Sequence, residues 1–161
     1  MKLEIKPLSN DYCEEIVQII LPIQQDEFKV AVTLEDQPDL LDIETHYQGT
    51  GGGFWGAFYE GQLVGTIALI STGHQAGAIR KMFVKQAFRG KELGIAQQLL
   101  NVLLQYSKEH QITDLYLGTV TQLKAAQRFY ERNGFEKINK TDLPSYFPLM
   151  AADNVFYHLH L

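Results

Sequence analysis

RGKELGIAQQLL, residues Arg89–Leu100, joins a basic, glycine-containing loop directly to an amphipathic helix, and the AIRKMFV run before it (Ala78–Val84) has the composition of a strand. The order strand, loop, helix aims the unpaired amides of the helix's first turn at one point, which makes an anion site. Five of the 14 Lys and Arg residues, namely Arg80, Lys81, Lys85, Arg89 and Lys91, fall in this strand and loop, with Glu92 the one acid among them. A chain of formal net charge −5 therefore concentrates positive charge at a helix start, which favours a phosphate ligand over a merely solvated loop. No Gly-Lys-Ser/Thr follows, as a nucleotide-hydrolase P-loop requires, and the glycines and downstream acid of a dinucleotide-binding fingerprint are missing. What remains is a helix start at which Gly94 and Ala96 are small enough to let a diphosphate reach the backbone without a metal.

Outward from this junction, Leu93, Ala96, Leu99, Leu100, Leu103 and Leu104 trace one face of a helix from Leu93 to about Glu109. DLYLGTV (Asp114–Val120) is the next strand, Gln122–Asn133 a second helix with Gly134 as its left-handed stop, and Phe135–Ile138 and Asn154–Leu161 complete the sheet. Upstream, FWGAFYE and QLVGTIALIST form a hairpin about Glu60-Gly61, and the triple glycine Gly51–Gly53 suggests a flexible connector. Leu3, Ile5 and Leu8 open a first strand, and Ile16, Val17, Ile19 and Ile20 give Asp11–Leu21 a helical stripe that stops at Pro22. The stretch 23–50 is least legible, with a short helix expected after Pro38. The expectation is one α/β (α+β) domain over residues 1–161, a mixed, mostly antiparallel central sheet flanked by helices.

A chain of 161 residues with 45% hydrophobic content suits one domain with a core on both sides of a sheet. A single cysteine, Cys13, excludes an internal disulfide and a Cys-based metal cluster and suits a reducing compartment. MKLEIKPLSN carries no apolar signal core, and no run of about 18 apolar residues occurs, so a cytoplasmic protein without membrane partner is expected. The acidic balance argues against nucleic acid and leans toward cationic partners. His158 and His160 lack a third ligand nearby in sequence and are taken as structural, so no metal is expected.

In LKAAQRFYERNGF (Leu123–Phe135), Leu123, Ala126 and Tyr130 share one helical face, and on periodicity alone Tyr130 is a core tyrosine. Taken together, RGKELGIA entered from KMFV and AAQRFYERNGF about 30 residues later resemble the GNAT superfamily of acetyl-CoA-dependent N-acetyltransferases. The resemblance implies acetyl-CoA as co-substrate. Lys91-Glu92-Leu93-Gly94-Ile95-Ala96 matches the family's Gln/Arg-x-x-Gly-x-Gly/Ala motif, with lysine in place of Gln or Arg, and the pyrophosphate would rest on the stretch from Arg89 and Gly90 through Ala96. Met82, Phe83 and Val84 would present backbone to the pantetheine arm, and an amide near Met82 or Phe83 would meet the oxyanion.

Tyr130 matches the tyrosine that protonates the departing CoA thiolate, a transfer that a phenol of pKa about 10 can make to a thiolate of about 8.5. Leu123 stands where many relatives carry an Asn against the cofactor arm, and Ala78 and Ile79 stand where some carry a basic Glu, so no general base is named. The acceptor implied is a primary amine of a small molecule or peptide, attacking directly in a ternary complex. Asp26, Glu27, Glu44 and His46, together with Tyr146 in PSYFP (Pro144–Pro148), fall where the family lines its acceptor site; Trp55, Phe54, Phe58 and Phe147 are further candidates for that pocket. A homodimer is suggested by family analogy. The alternative is a non-catalytic acyl-CoA sensor, which would not need Tyr130.

Overall fold

The computed structural model describes residues 2–161. Strand β1 (Leu3–Pro7) and helix α1 (Cys13–Leu21) are followed by a π-helical turn over Pro22–Glu27, a 3-10 turn over Pro38–Leu41 and the short helix α2 (Ile43–His46). Strands β2 (Gly53–Tyr59), β3 (Gln62–Gly73) and β4 (Ala76–Val84) form an antiparallel meander, and helix α3 (Ile95–Glu109) crosses over to β5 (Asp114–Thr119). Helix α4 (Lys124–Arg132), β6 (Glu136–Ile138) and β7 (Val155–His160) complete the chain. The sheet has seven strands in the order β1-β2-β3-β4-β5-β7-β6, and β4 with β5 is its parallel pair. The expected mixed, mostly antiparallel α/β architecture is what the chain forms.

Both hairpin turns follow from backbone handedness. Glu60 and Gly61 have φ of 50° and 83°, and His74 and Gln75 have φ of 59° and 57°, so each is a two-residue turn with both centres left-handed, the geometry that matches strand twist. The second of these is absent from the sequence reading, because neither His nor Gln advertises such a turn.

The triple glycine is a correction. It is not a flexible connector: Gly52 and Gly53 are buried, and a Cβ at Gly52 would stand 1.9 Å from the carbonyl oxygen of Leu69. Gly52 lets two backbones touch at the entrance to β2.

Helix α3 buries Ile95, Leu99, Leu100 and Leu103 against one face of the sheet, while Leu93, Ala96 and Leu104 are only partly covered, so the buried stripe is turned toward Ile95 relative to expectation. Burial of such side chains contributes roughly 1.5–3 kcal/mol each and fixes where the helix begins. The opposite face is covered by α1 through Ile16, Ile19 and Ile20, packed with Leu40, Ile43, Tyr47, Phe54 and Phe58.

One irregularity positions the site. β4 and β5 pair only through Ala76↔Asp114, Gly77↔Leu115 and Ala78↔Tyr116, and then part. β7 follows β5 along its length, from Asp114↔His160 to Thr119↔Val155, so the sheet divides into two halves joined at one end. Lys81 has φ of 55°, and the β3–β4 register shifts between Thr66 and Ala68, which marks a bulge in β4 where it leaves its partner.

Candidate active site

The gap between the strands opens into a cleft of about 110 Å³. Its walls include Ile79–Phe83 of β4, Gly118 and Thr119 of β5, Leu123, Ala126 and Tyr130 of the second helical segment, and Asp153.

Beyond β4 the chain runs through a loop to the start of α3. Gly94 has φ of 62° as the residue before the helix, no side chain caps that end, and no acid occupies the first turn. The helix starts at Ile95 rather than Leu93, so the open amides belong to its first residues, and Lys91 and Glu92 lie exposed in the preceding turn. Gly90, with φ of 122°, keeps the loop turned back, and Gly94 N–H donates to its carbonyl at 3.2 Å.

Arg89 is not free at this loop. Its Nε donates to the carbonyl of Val84 at 2.8 Å, and its guanidinium grips both carboxylate oxygens of Glu27, at 2.5 and 2.8 Å. The ion pair holds Glu27 below the usual carboxylate range. Two residues expected to serve different ligands are thus bound to each other, tying the phosphate-side loop to the π-helical turn. Nor do the five clustered cations share one place: Arg80 and Lys81 line the cleft, because the bulge turns them inward.

Tyr130 lies 6% exposed on α4, its ring against Phe129, Phe135 and Tyr157. Its hydroxyl donates to the Sδ of Met82 at 3.5 Å, directly across the parted strands. Burial, with the negative charge of Asp153 nearby, raises its pKa well above that of an ordinary phenol, so it stays protonated. Leu123, where a polar contact to the cofactor arm was missing, is one apolar wall of the same cleft.

Three charged side chains that the sequence did not single out as acceptor-site residues, Arg80, Lys81 and Asp153, line the cleft. Lys81 is buried; its Nζ donates to the Oε1 of Gln37 and lies 3.6 Å from Asp39, which also accepts the Tyr47 hydroxyl at 2.5 Å. Desolvation lowers Lys81 to about 8, still charged at neutrality and in keeping with its pairing. Tyr47 is pushed up by burial and by the charge of Asp39. Arg80 donates through Nη2 to the Sδ of Met150 at 2.8 Å. Asp153 is raised to about 6 by burial, against the opposing charges of Arg80 and Lys81. The available signal was two adjacent cations within an otherwise apolar strand, since buried charges need partners.

Of the expected acceptor residues, Asp26 is exposed and does not line the cleft; Gln24 and Phe28, flanking it on the π-helical turn, do. Tyr146 stacks on His74 at 4.3 Å and also lies outside the lining, while Met150, Ala152 and Asp153 of the same long loop reach in. Glu44 accepts from the amide of Asn10 at 2.8 Å, and the ring of His46 meets the carbonyl of Asp42. Phe54, Trp55, Phe58 and Phe147 belong to the cores rather than the cleft. His158 and His160 both bond Asp114 Oδ1, at 2.8 and 3.0 Å. Among the described residues no group of three or more His, Cys, Asp or Glu could hold a metal ion, and no helix is long and apolar enough to cross a membrane.

The model of the acetyltransferase (GNAT) family matches residues 17–135, which includes the phosphate-side loop and Tyr130. The chain belongs to the GNAT family. The N-acetylaspartate synthetase of Danio rerio is 35% identical to this GNAT protein over 106 residues, 65% of this chain and 37% of that one. The human N-acetylaspartate synthetase is 32% identical over 128 residues, 75% of this chain and 41% of its own, so the chain spans about two fifths of the length of these relatives. A GNAT-family acetyltransferase of Staphylococcus aureus superposes with a TM-score of 0.96 at 41% identity, over 99% of both chains. The same fold, at 18% identity and a TM-score of 0.76 over the whole of both chains, occurs in the PaiA N-acetyltransferase of Thermoplasma acidophilum, solved in complex with coenzyme A.

Proposed function

We propose that this GNAT protein transfers the acetyl group of acetyl-CoA to a primary amine of a small molecule or peptide, by direct attack in a ternary complex. The observation that carries this reading is the Tyr130 hydroxyl, buried, protonated and aimed at Met82 on the part of β4 that has lost its strand partner. Acetyl-CoA suits the residues present. The uncapped start of α3 at Gly94, Ile95 and Ala96 would hold its pyrophosphate, with Lys91 beside it, and the unpaired edge of Met82, Phe83 and Val84 would hold the pantetheine arm. Bound there, it supplies an acyl group already activated as a thioester. The names of the vertebrate relatives, which describe synthesis of an acetylated amine, support the same chemistry. The lone Cys13 suits a cytoplasmic enzyme.

An alkylammonium acceptor with a pKa of about 10 must lose a proton before it can attack. Asp153, poised at about 6 in the same cleft, takes that proton and frees the nitrogen lone pair. The carbon–nitrogen bond forms as the carbon–sulfur bond breaks. Tyr130 gives its proton to the sulfur and is restored by the second nitrogen proton, so one proton in all leaves through Asp153 to water.

Release of free thiol from acetyl-CoA across a panel of amines tests this reading, with calorimetry of CoA binding alongside. CoA binding without turnover of any amine would favour the sensor alternative; absence of CoA binding would remove both. In wild type, kcat/KM is expected to fall below an ionisation near pH 6, because the base must be deprotonated. The groups facing it are Arg80, Lys81 and Tyr130; Lys81 is lowered only to about 8 and Tyr130 is raised, so neither accounts for an acid limb near 6. In Asp153→Asn that limb should vanish, leaving a weak activity that climbs toward the pKa of the amine itself; an unchanged limb would clear Asp153 of the role.

Gly94→Val tests the cofactor side. A β-branched residue at φ of 62° strains the helix start by about 1–2 kcal/mol and places a side chain where the pyrophosphate would approach. KM for acetyl-CoA should rise roughly tenfold or more, with kcat little changed, since 1.4 kcal/mol is a factor of ten. Equal KM values in the two proteins would move the phosphate elsewhere.

A further inference from the structure

We infer that the acceptor is an amino acid bound as its zwitterion, with its carboxylate on Arg80 and its ammonium facing Asp153. The inference rests on the acetyl-transfer reading above and names the substrate class of the same site.

The cleft presents three charged side chains, Arg80, Lys81 and Asp153. Lys81 is already satisfied within the protein by Gln37 and Asp39. Arg80 is not. Its one hydrogen bond among the described residues ends on the Met150 thioether, a weak and uncharged acceptor, and it takes part in none of the ion pairs there. A guanidinium has five N–H donors in a planar fork, and none of the nitrogens of Arg80 is sealed away without a partner, so the remaining donors open toward the cleft. A half-buried guanidinium in a cleft lined also by Phe28, Val30 and Met150, with no carboxylate within ion-pair distance and Asp153 acting on it only through charge, matches a carboxylate that can be gripped at both oxygens.

Asp153 supplies the complementary charge. Its carboxylate packs against Gly118, where a Cβ would lie 2.5 Å from Oδ2, and this places it at the parted strands beside Tyr130 rather than out in solvent. Arg80 and Asp153 therefore set opposite charges on the walls of one cleft, within electrostatic reach of each other. An α-amino acid carries the complementary pair of charges within one small molecule. A simple alkylamine or polyamine offers nothing to Arg80, and neither does a protein N-terminus, whose first carboxyl is an amide. The formal net charge of −5, which leans toward cationic acceptors, is a poor guide because the local arrangement has both signs.

Thiol release is to be measured for each common amino acid beside its decarboxylated amine and its α-carboxamide. The best amino acid should exceed both partners in kcat/KM by roughly 100-fold, chiefly through KM. Arg80→Gln should bring the three to within about threefold of one another, and Arg80→Lys should keep part of the preference, since one point charge replaces a two-pronged grip. The dissociation constant for CoA, unchanged in both variants, would show that the fold is intact. Independently, the best amino acid should raise the unfolding temperature of the wild type, free as well as CoA-saturated, and not that of Arg80→Gln. Equal use of amines without a carboxylate, an unaltered preference in Arg80→Gln, or no thermal shift with any amino acid overturns the inference. Failure of wild type to bind CoA strikes the acetyl-transfer reading instead, because amino-acid binding is read separately from the thermal shift of the free protein.

Discussion

Tyr130→Phe should lower kcat by roughly 10²–10⁴ while leaving CoA affinity and folding stability nearly untouched. The ring contacts with Phe129, Phe135 and Tyr157 survive the change, and the hydrogen bond removed is one to a thioether at 3.5 Å. That bond contributes little to folding, so the hydroxyl's presence in an apolar, nearly closed position is explained by what it gives up to a leaving sulfur. Burial raises its pKa, which keeps the proton in place until the thiolate develops beside it, and the same burial disfavours the thiolate's charge and so raises its demand for that proton. Rapid-mixing measurement of thiol appearance from the preformed ternary complex would isolate this step. An unaltered rate there would show that the thiolate departs without help and that Tyr130 is a packing residue.

A second large effect is expected far from the cleft. Gly52→Ala should destabilise the protein by about 3 kcal/mol, because the added methyl falls 1.9 Å from the carbonyl oxygen and 2.7 Å from the carbonyl carbon of Leu69, both backbone atoms that cannot rotate aside. For a domain of this size that corresponds to a loss of about 6–12 °C in the midpoint of thermal unfolding. The strand must shift along β3 or the β2 entrance must open, and either strains the pairing of Gly53 with Leu69. A melting curve coincident with wild type would mean that the glycines are slack after all.

Gly52 also shows where reading a sequence stops. A run of glycines permits looseness and close approach alike, and only the carbonyl of Leu69 decides between them. By contrast, α3, α4 and the β2–β3 hairpin were legible because their cause is local: period, turn residues and a glycine stop at Gly134, whose φ is 89°. Tyr130 was placed on the inward face by helical spacing, and its chemical role was then supplied by resemblance. The acceptor wall was illegible for the opposite reason. Gln24, Phe28 and Gln37 sit on irregular backbone whose course depends on distant anchors, notably Asp39 between Tyr47 and Lys81. Strict alternation through AIRKMFV would send Arg80 and Lys81 to opposite faces, but the left-handed residue at Lys81 breaks that rule and brings both into the cleft. Asp153 lies in a loop with no periodicity at all, and nothing near it in the chain marks it.

The proposed donor and acceptor ends of the site are made of different material. Gly94 and Tyr130 stand at the start or on the body of regular helices tied into the main core, whereas Gln24, Phe28, Gln37, Met150 and Asp153 come from turns and loops that cross the other end. Substitutions, or changes of length, in those crossings can redraw what the protein accepts with little disturbance to the sheet, while the donor end tolerates almost none. Such a scaffold is free to diverge in one direction only: descendants of a common ancestor could come to modify unlike compounds while spending the same activated acyl carrier.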